Sequence, residues 1–303
     1  MNYKTTSPGK LLITSEYFVL KGALALAIPT KFNQTLEFIA NHSNKLIWEA
    51  YDEKNLIWFD CEFGLPGLEI IKNKNETTKV LQSILLSAKK LNSNFLNEFS
   101  GGLIKTNLDF PNNWGLGSSS TLINNISNWA NINPYELLWS NFKGSGYDIA
   151  CAKSKDPILY KLKYNKPTIK KVYFKPIFFQ NLFFIHLNKK QNSNKQINLF
   201  YENQLENNDL INVFSQLTME FINSKTLIDF QNCIIKHESI LSKYLEIIPI
   251  KENLFKDYDG EIKSLGAWGG DFILAAGPLS SPEYFKNKGF RTVLKYNEML
   301  YNV

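Results

Sequence analysis

Only one arginine, Arg291, stands among the 34 basic residues. The guanidinium fork is the usual device for bidentate capture of phosphate or carboxylate, so any anionic ligand must be held mainly by lysines, hydroxyls and backbone amides. A protein-kinase His-Arg-Asp loop is excluded outright. Cysteine is scarce as well: Cys61, Cys151 and Cys233 lie far apart, which excludes a disulfide framework and fits a reduced, cytoplasmic protein. No apolar run reaches the roughly 18 residues of a membrane span. The start, Met-Asn-Tyr-Lys-Thr-Thr, lacks the apolar stretch of a signal peptide. Internal repeats, heptads and long linkers are also missing.

What is present is a chain of 303 residues, 44% apolar, 14% aromatic and 20% charged, enough for two domains with sizeable cores. The net charge of +6 favours anionic partners without choosing among nucleic acid, acidic surfaces and small phosphorylated compounds. Residues 3–60 read as β-rich, with apolar or alternating runs at 11–13, 17–20, 32–39, 46–48 and 56–59. Helical spacing marks 78–91, with Thr77 or Thr78 as its cap, then 118–130, 134–142, 195–205, 210–222 and 227–245. Strands are expected over 103–110, 158–164 and 169–174, a very apolar run covers 177–187, and a strand, glycine turn and strand are expected over 263–277. The domain boundary is placed near residue 175.

Four segments carry candidate chemistry. Pro111-Asn112-Asn113-Trp114-Gly115-Leu116-Gly117-Ser118-Ser119-Ser120 precedes a helix: its glycines admit close approach of a phosphate, and the helix start offers free amides. It lacks the Gly-x-x-x-x-Gly-Lys-Ser/Thr pattern, and a flexible turn with a serine cap is the plain alternative. Ser7-Pro8-Gly9-Lys10 sets a lysine on a Pro-Gly turn, where it could neutralise phosphate charge or simply lie on the surface. Gly144-Ser145-Gly146-Tyr147-Asp148 places one carboxylate after a glycine turn, as a proton acceptor or a helix-start residue. Ser264-Leu265-Gly266-Ala267-Trp268-Gly269-Gly270-Asp271 implies a close backbone approach or a tight hairpin.

In this order the four segments resemble the GHMP kinases, the superfamily of galactokinase, homoserine kinase, mevalonate kinase and phosphomevalonate kinase. Pro-x-x-x-Gly-Leu-Gly-Ser-Ser-Ser is the most diagnostic of them. The opening Ser-Pro-Gly-Lys with Ser15-Glu16-Tyr17 is similar to the mevalonate branch, and the Gly-Tyr-Asp-Ile-Ala string to a bacterial subgroup. The last motif and, faintly, 188–195 resemble phosphomevalonate kinases. The resemblance implies an α+β, two-domain GHMP kinase fold: a ribosomal-protein-like β-α-β domain over 1–175 that binds ATP, and a ferredoxin-like α+β domain over 176–303. It implies ATP phosphates on Pro111 and Gly115 to Ser120, Mg2+ at Ser119, Asp148 as the catalytic carboxylate and Lys10 as its basic partner. Glu16, Tyr17, Gly266, Ala267, Gly269 and Gly270 fall on the substrate side. The family's second Mg2+ ligand, a glutamate, is approached by Glu136, one position out of register with Leu137 at the matching place. Trp268 replaces a family glycine, and Ser15 stands where many relatives have glycine. The implied reaction is γ-phosphoryl transfer from ATP to a small acid such as phosphomevalonate or mevalonate, with no nucleic-acid or membrane partner.

Other readings stay open. Lys161, Lys163, Lys166, Lys170, Lys171 and Lys175 form a basic stretch that could meet nucleic acid or be a solvated face. A catalytically altered relative that binds nucleotide or a partner, and the decarboxylase of mevalonate diphosphate, are further alternatives. Cys233 and His237, four apart on a helix, could touch a metal but read better as core, and His42 and His186 show no partners.

Overall fold

The computed structural model describes residues 2–97, 100–189, 208–266, 268 and 270–301, which form two compact units. The first comprises Met1–Gly9, Phe32–Asn112 and Leu116–Lys153; the second comprises Lys10–Lys31, Asn113–Gly115 and Ser154–Val303. Residues 154–175, read from the sequence with the first half, thus fall in the second unit.

In the first unit, strands β3 (Lys45–Tyr51), β4 (Ile57–Gly64), β5 (Ile70–Lys72) and β6 (Gly101–Leu108) join the later part of β2 (Ala25–Asn41) in the order β5-β4-β3-β6-β2. Pairing is antiparallel except for β3 with β6, which lie parallel across the crossover helix α1 (Glu76–Leu91). Helices α2 (Ser118–Ala130), α3 (Pro134–Asn141) and α4 (Tyr147–Ala152) follow. Alternate strand residues Leu36, Phe38, Leu46, Trp48, Phe63 and Ile104 form one buried cluster with Leu81, Ile84 and Leu85 of α1 and Ile123 and Ile126 of α2. Burying each such side chain contributes about 1.5–3 kcal/mol, which fixes the helices on the sheet. The cap of α1 is Asn75, whose side chain accepts from the Thr78 amide at 2.9 Å, and not Thr77 or Thr78. Thr78 instead turns its hydroxyl back to the Asn73 carbonyl.

Strand β1 (Asn2–Leu12) corrects a second expectation: Ser7 to Lys10 lie inside a continuous strand, with no Pro-Gly turn. Proline's fixed φ is compatible with extended backbone where the ladder needs no donor from it.

In the second unit the early part of β2 pairs with β7 (Ile158–Lys163), which forms a hairpin with β8 (Lys166–Lys171). Tyr164 and Asn165, both at positive φ, make the two-residue turn. A separate antiparallel sheet has the order β10 (Glu261–Ser264), β11 (Phe272–Ala276), β9 (Leu182–His186), β12 (Val293–Lys295). Between β9 and β10 run α5 (Asn208–Asn223), α6 (Leu227–Leu245) and α7 (Ile250–Leu254), and α8 (Ser281–Asn287) links β11 to β12. This β-α-β-β-α-β course is the expected ferredoxin-like arrangement. The run 17–20, expected as a strand, is a 3-10 turn over Phe18–Lys21 flanked by Tyr17 at φ 63° and Gly22 at φ 92°. Its apolar side chains serve as a knob: Tyr17 and Phe18 pack with Phe214, Leu217, Leu241 and Trp268. The expected helix over 195–205 lies outside the described residues. Among the described residues no helix is long and apolar enough to cross a membrane, and Cys61, Cys151 and Cys233 are free and buried.

Candidate functional site

Helix α2 starts from Gly117, which takes φ 88° and offers no side chain as a cap. The first helical bond runs from the Thr121 amide to the Gly117 carbonyl at 3.0 Å. The amides of Ser118, Ser119 and Ser120 precede that bond, so the helix itself gives them no acceptor and they suit an anion. Ser120 donates to the Gly117 carbonyl at 2.8 Å and Ser118 to the Asn112 side chain at 3.2 Å, while Ser119 is exposed. The buried face of α2 is held by polar bonds. Thr121 donates to Gln34 Oε1 at 2.7 Å, Asn125 to the Gln34 carbonyl at 2.9 Å, Ser7 to Asn125 Oδ1 at 2.7 Å and Asn124 to Ser7 at 2.8 Å. Ser7 is therefore a tie to α2, a role invisible in the local sequence, where it reads as part of a turn.

In the second unit, Lys10 Nζ donates to the Gly115 carbonyl at 2.8 Å. Gly115 takes φ 67°, and a Cβ there would sit 2.3 Å from Asp271 Oδ2, so only glycine lets the Asp271 carboxylate close on this backbone. Asp271, itself at φ 51°, donates its amide to the Lys189 carbonyl at 2.7 Å and accepts from the Leu187 amide at 2.8 Å. His186 Nε2 donates to the Asn113 carbonyl at 3.2 Å, its Nδ1 accepts from the Asn188 amide at 3.3 Å, and Trp114 meets Phe272 edge to face at 5.4 Å. His186 thus has the partners that the sequence did not reveal. His42 has one too, Ser100 at 3.0 Å.

Asp148 occupies the first turn of α4, half-buried, behind Gly146 at φ 80°. A Cβ on Gly146 would lie 3.1 Å from the Tyr135 ring, and Trp139 Nε1 donates to the Gly144 carbonyl at 3.2 Å, so the turn is pressed against α3. Asp148 Oδ1 accepts from the Ile149 amide at 3.0 Å. Burial first, and the Asp148 charge second, push the Tyr135 phenol up from its usual range. Glu136 is exposed in the first turn of α3 and accepts from the Asn133 side chain at 3.3 Å, a helix-start role that needs no metal. Leu137 is fully buried in the core. Among the described residues no three His, Cys, Asp or Glu converge as a metal cluster. Cys233 has only a weak contact with Ser224 at 3.8 Å, and burial pushes its thiol up.

Glu16 and Tyr17, expected on the substrate side, are buried. Glu16 pairs with Lys263 and approaches His237 Nε2 at 3.2 Å, and Lys263 also lies 3.2 Å from Glu238. Exposure of these four is 1%, 0%, 0% and 4% for Glu16, Lys263, His237 and Glu238. The Ser15 amide donates to His237 Nε2 at 3.0 Å. Burial raises the Glu16 carboxyl to about 7 despite Lys263, with the Glu238 charge adding to the rise. Burial, reinforced by Lys263, holds the His237 imidazole well below its usual value. Lys263 and Glu238 were not singled out in the sequence; the available signal was Glu238 on the apolar face of its helix, whereas Lys263 in Glu-Ile-Lys-Ser carries no such mark. Beyond β10, Gly266 at φ 66° faces open space, Trp268 is 3% exposed, and Gly270 is buried. Ala267, Gly269 and the substrate-side reading of 190–195 lie outside the described residues.

No family-level sequence profile matches the chain. No curated protein matches it either. Solved structures do. The Methanococcus jannaschii mevalonate kinase superposes with a TM-score of 0.70 at 19% identity, over 97% of this chain and 96% of that one. The Streptococcus pneumoniae phosphomevalonate kinase, in complex with phosphomevalonate and AMPPNP, gives 0.70 at 16% identity over 97% and 99%. The fold is that of the GHMP kinases. The Lactococcus lactis galactokinase complexed with galactose shares the GHMP kinase fold at a TM-score of 0.66 and 14% identity, over 95% and 88%.

Proposed function

We propose that the chain is an ATP-dependent small-molecule kinase acting on a mevalonate-pathway acid, phosphomevalonate or mevalonate, with residues 1–175 as its nucleotide-binding half. The observation that carries the reading is the Lys10 ammonium seated on the carbonyl of Gly115, at the loop that opens α2. Uncapped first-turn amides suit a phosphate, and Lys10 is a cation that can serve one where arginine is lacking. The likeness to mevalonate and phosphomevalonate kinases supports the acceptor class, and the likeness to a galactokinase makes a sugar the second acceptor to try.

In this reading the acceptor hydroxyl gives its proton to Asp148 as its oxygen bonds to the γ-phosphorus and the bond from that phosphorus to the ADP oxygen breaks. Such a transition state is loose, so the protein positions and neutralises. Lys10 offsets phosphate charge, and the amides of Ser118 to Ser120 hold phosphate oxygens. Mg2+, when bound, neutralises phosphate charge. The exposed Ser119 hydroxyl is a hard oxygen donor that fits it, whereas Glu136 is engaged at its helix start and is assigned no ligand role. For a phosphate acceptor, which is nucleophilic without a base, Asp148 acts as an orienting group.

ADP release with Mg-ATP and, separately, mevalonate, 5-phosphomevalonate, galactose and homoserine tests the proposal. Turnover with one acid and a loss of about 10³ in Asp148→Asn with the fold intact are expected. Near-normal activity of the variant removes Asp148 from the mechanism, and silence with all four acceptors removes the substrate class.

A further inference from the structure

Glu16, Glu238, Lys263 and His237 come from the turn after β1, from α6 and from β10, all within the second unit. Two carboxylates face one ammonium where water has almost no access. The imidazole does not make up the deficit. Its Nε2 accepts the Ser15 amide, so it is neutral with its proton on Nδ1. With both carboxylates ionised the group would carry an uncompensated charge in a low-dielectric interior, which is far costlier than keeping a proton there. Glu16 Oε2 lies 3.2 Å from that acceptor nitrogen without a hydrogen-bond partner, a lone-pair approach that disfavours the ionised carboxylate.

The cluster sits where two functional segments meet their supports. On one side, Ser15 and Tyr17 both take positive φ, 64° and 63°, a conformation costly for residues with a Cβ. Ser15 is held in it by its amide on His237, by its hydroxyl on the Leu24 carbonyl at 2.7 Å and by Thr218 at 3.2 Å. Lys10 lies on the strand leading into this turn. On the other side, Lys263 and Ser264 end β10, immediately before the glycine loop that finishes at Asp271, whose carboxylate closes on Gly115. The Glu16 to Lys263 pair therefore ties the base of one segment to the base of the other.

We infer that Glu16 and His237 are positioning residues: they lock the turn after the Lys10 strand to the base of the Gly266–Asp271 loop, and the lock holds while the cluster keeps one proton on its carboxylates. The charged and titratable groups facing Glu16 are Lys263 from β10, His237 and Glu238 from α6, and Tyr17 beside it, whose phenol is pushed up by burial and by Glu16. None supplies a second positive charge. Because the folded-state value of Glu16 is raised from 4.5 to about 7, its stabilising contribution is complete below 4.5 and is lost as pH rises toward 7. His237 runs the other way: held neutral, it contributes above its unfolded value of 6.5 and loses that contribution as pH falls.

The inference deepens the kinase reading and is tested by an arm that does not need it. Melting temperatures of the full chain and of Glu16→Gln, which keeps the shape of a protonated carboxyl, are compared across pH. The difference, variant minus wild type, should grow by roughly 5 °C between pH 4.5 and 7 and level off above it. A pH-independent difference overturns the proton-holding cluster, whatever the enzyme's substrate proves to be. In the kinetic arm, His237→Leu should lower kcat at least about tenfold with little change in the KM for ATP, and His237→Gln, which can still accept the Ser15 amide, should restore it. Equal kcat in wild type and His237→Leu overturns the positioning role. If wild type turns over no acceptor, the function proposed above fails and the melting comparison alone decides the inference.

Discussion

At Gly115 two demands meet in one residue. The backbone needs φ 67°, and the space where a Cβ would stand is filled by the Asp271 carboxylate at 2.3 Å. Gly115→Ala would meet a left-handed penalty of roughly 1–2 kcal/mol and displace Asp271 as well. The Lys10 contact depends on the carbonyl of this same residue. The expected outcome is at least about tenfold weaker binding of a non-hydrolysable ATP analogue by titration calorimetry, equivalent to about 1.4 kcal/mol; unchanged affinity would detach the loop from nucleotide binding. The glycines of this loop, Lys10 and Asp148 could be proposed as site residues from the sequence because side-chain type and order along the chain are sequence properties. Asp271 closing on Gly115, His186 on Asn113 and the Glu16 cluster were not. Each depends on residues tens to hundreds of positions apart being folded together, and a lone histidine or glutamate carries no mark of that.

Among the elements, helices were the most legible, since apolar spacing of 3.6 reports a buried face directly. The α2 and α6 spans agree with the spacing at both ends. Where the reading failed, a local rule was overridden by packing. An apolar β-type run at 17–20 curls into a 3-10 turn because two left-handed residues and the Phe214 ring, stacked on Phe18 at 4.4 Å, favour a compact knob. Cap choice failed for a subtler reason. Asn75, Thr77 and Thr78 are all capping types, but only Asn75 has extended φ and ψ with its oxygen on the Thr78 amide. Asn75→Ala should cost about 1 kcal/mol in urea unfolding, whereas exposed Thr77→Ala should stay within about 0.5 kcal/mol of wild type. The reverse order would return the cap to the threonine.

For the whole molecule, the decisive contrast is between charge that acts at a built site and charge that merely surrounds the chain. The net +6 is carried almost wholly by lysines. On the β7–β8 hairpin Lys163 stands directly opposite Lys166, and Lys161, Lys163, Lys166 and Lys170 are exposed, while Lys171 pairs with Asp156 at 2.6 Å. Exposed ammonium groups of this kind attract any polyanion weakly and without selection. Their binding follows counterion release, so a complex of about six phosphate contacts should lose roughly 10³ in affinity between about 50 and 200 mM salt. A nucleotide held as proposed, by backbone amides at the start of α2, would be retained far better, because such contacts are short and directional. At a hundredfold excess over its dissociation constant a nucleotide adds about 2.7 kcal/mol to stability, or roughly 4 °C in melting temperature for a chain of this size. The expected outcome at about 200 mM salt is therefore a thermal shift with the ATP analogue and no retained single-stranded RNA in a filter assay. RNA retained at that salt without a nucleotide shift would transfer the function from the glycine loop to the lysine hairpin.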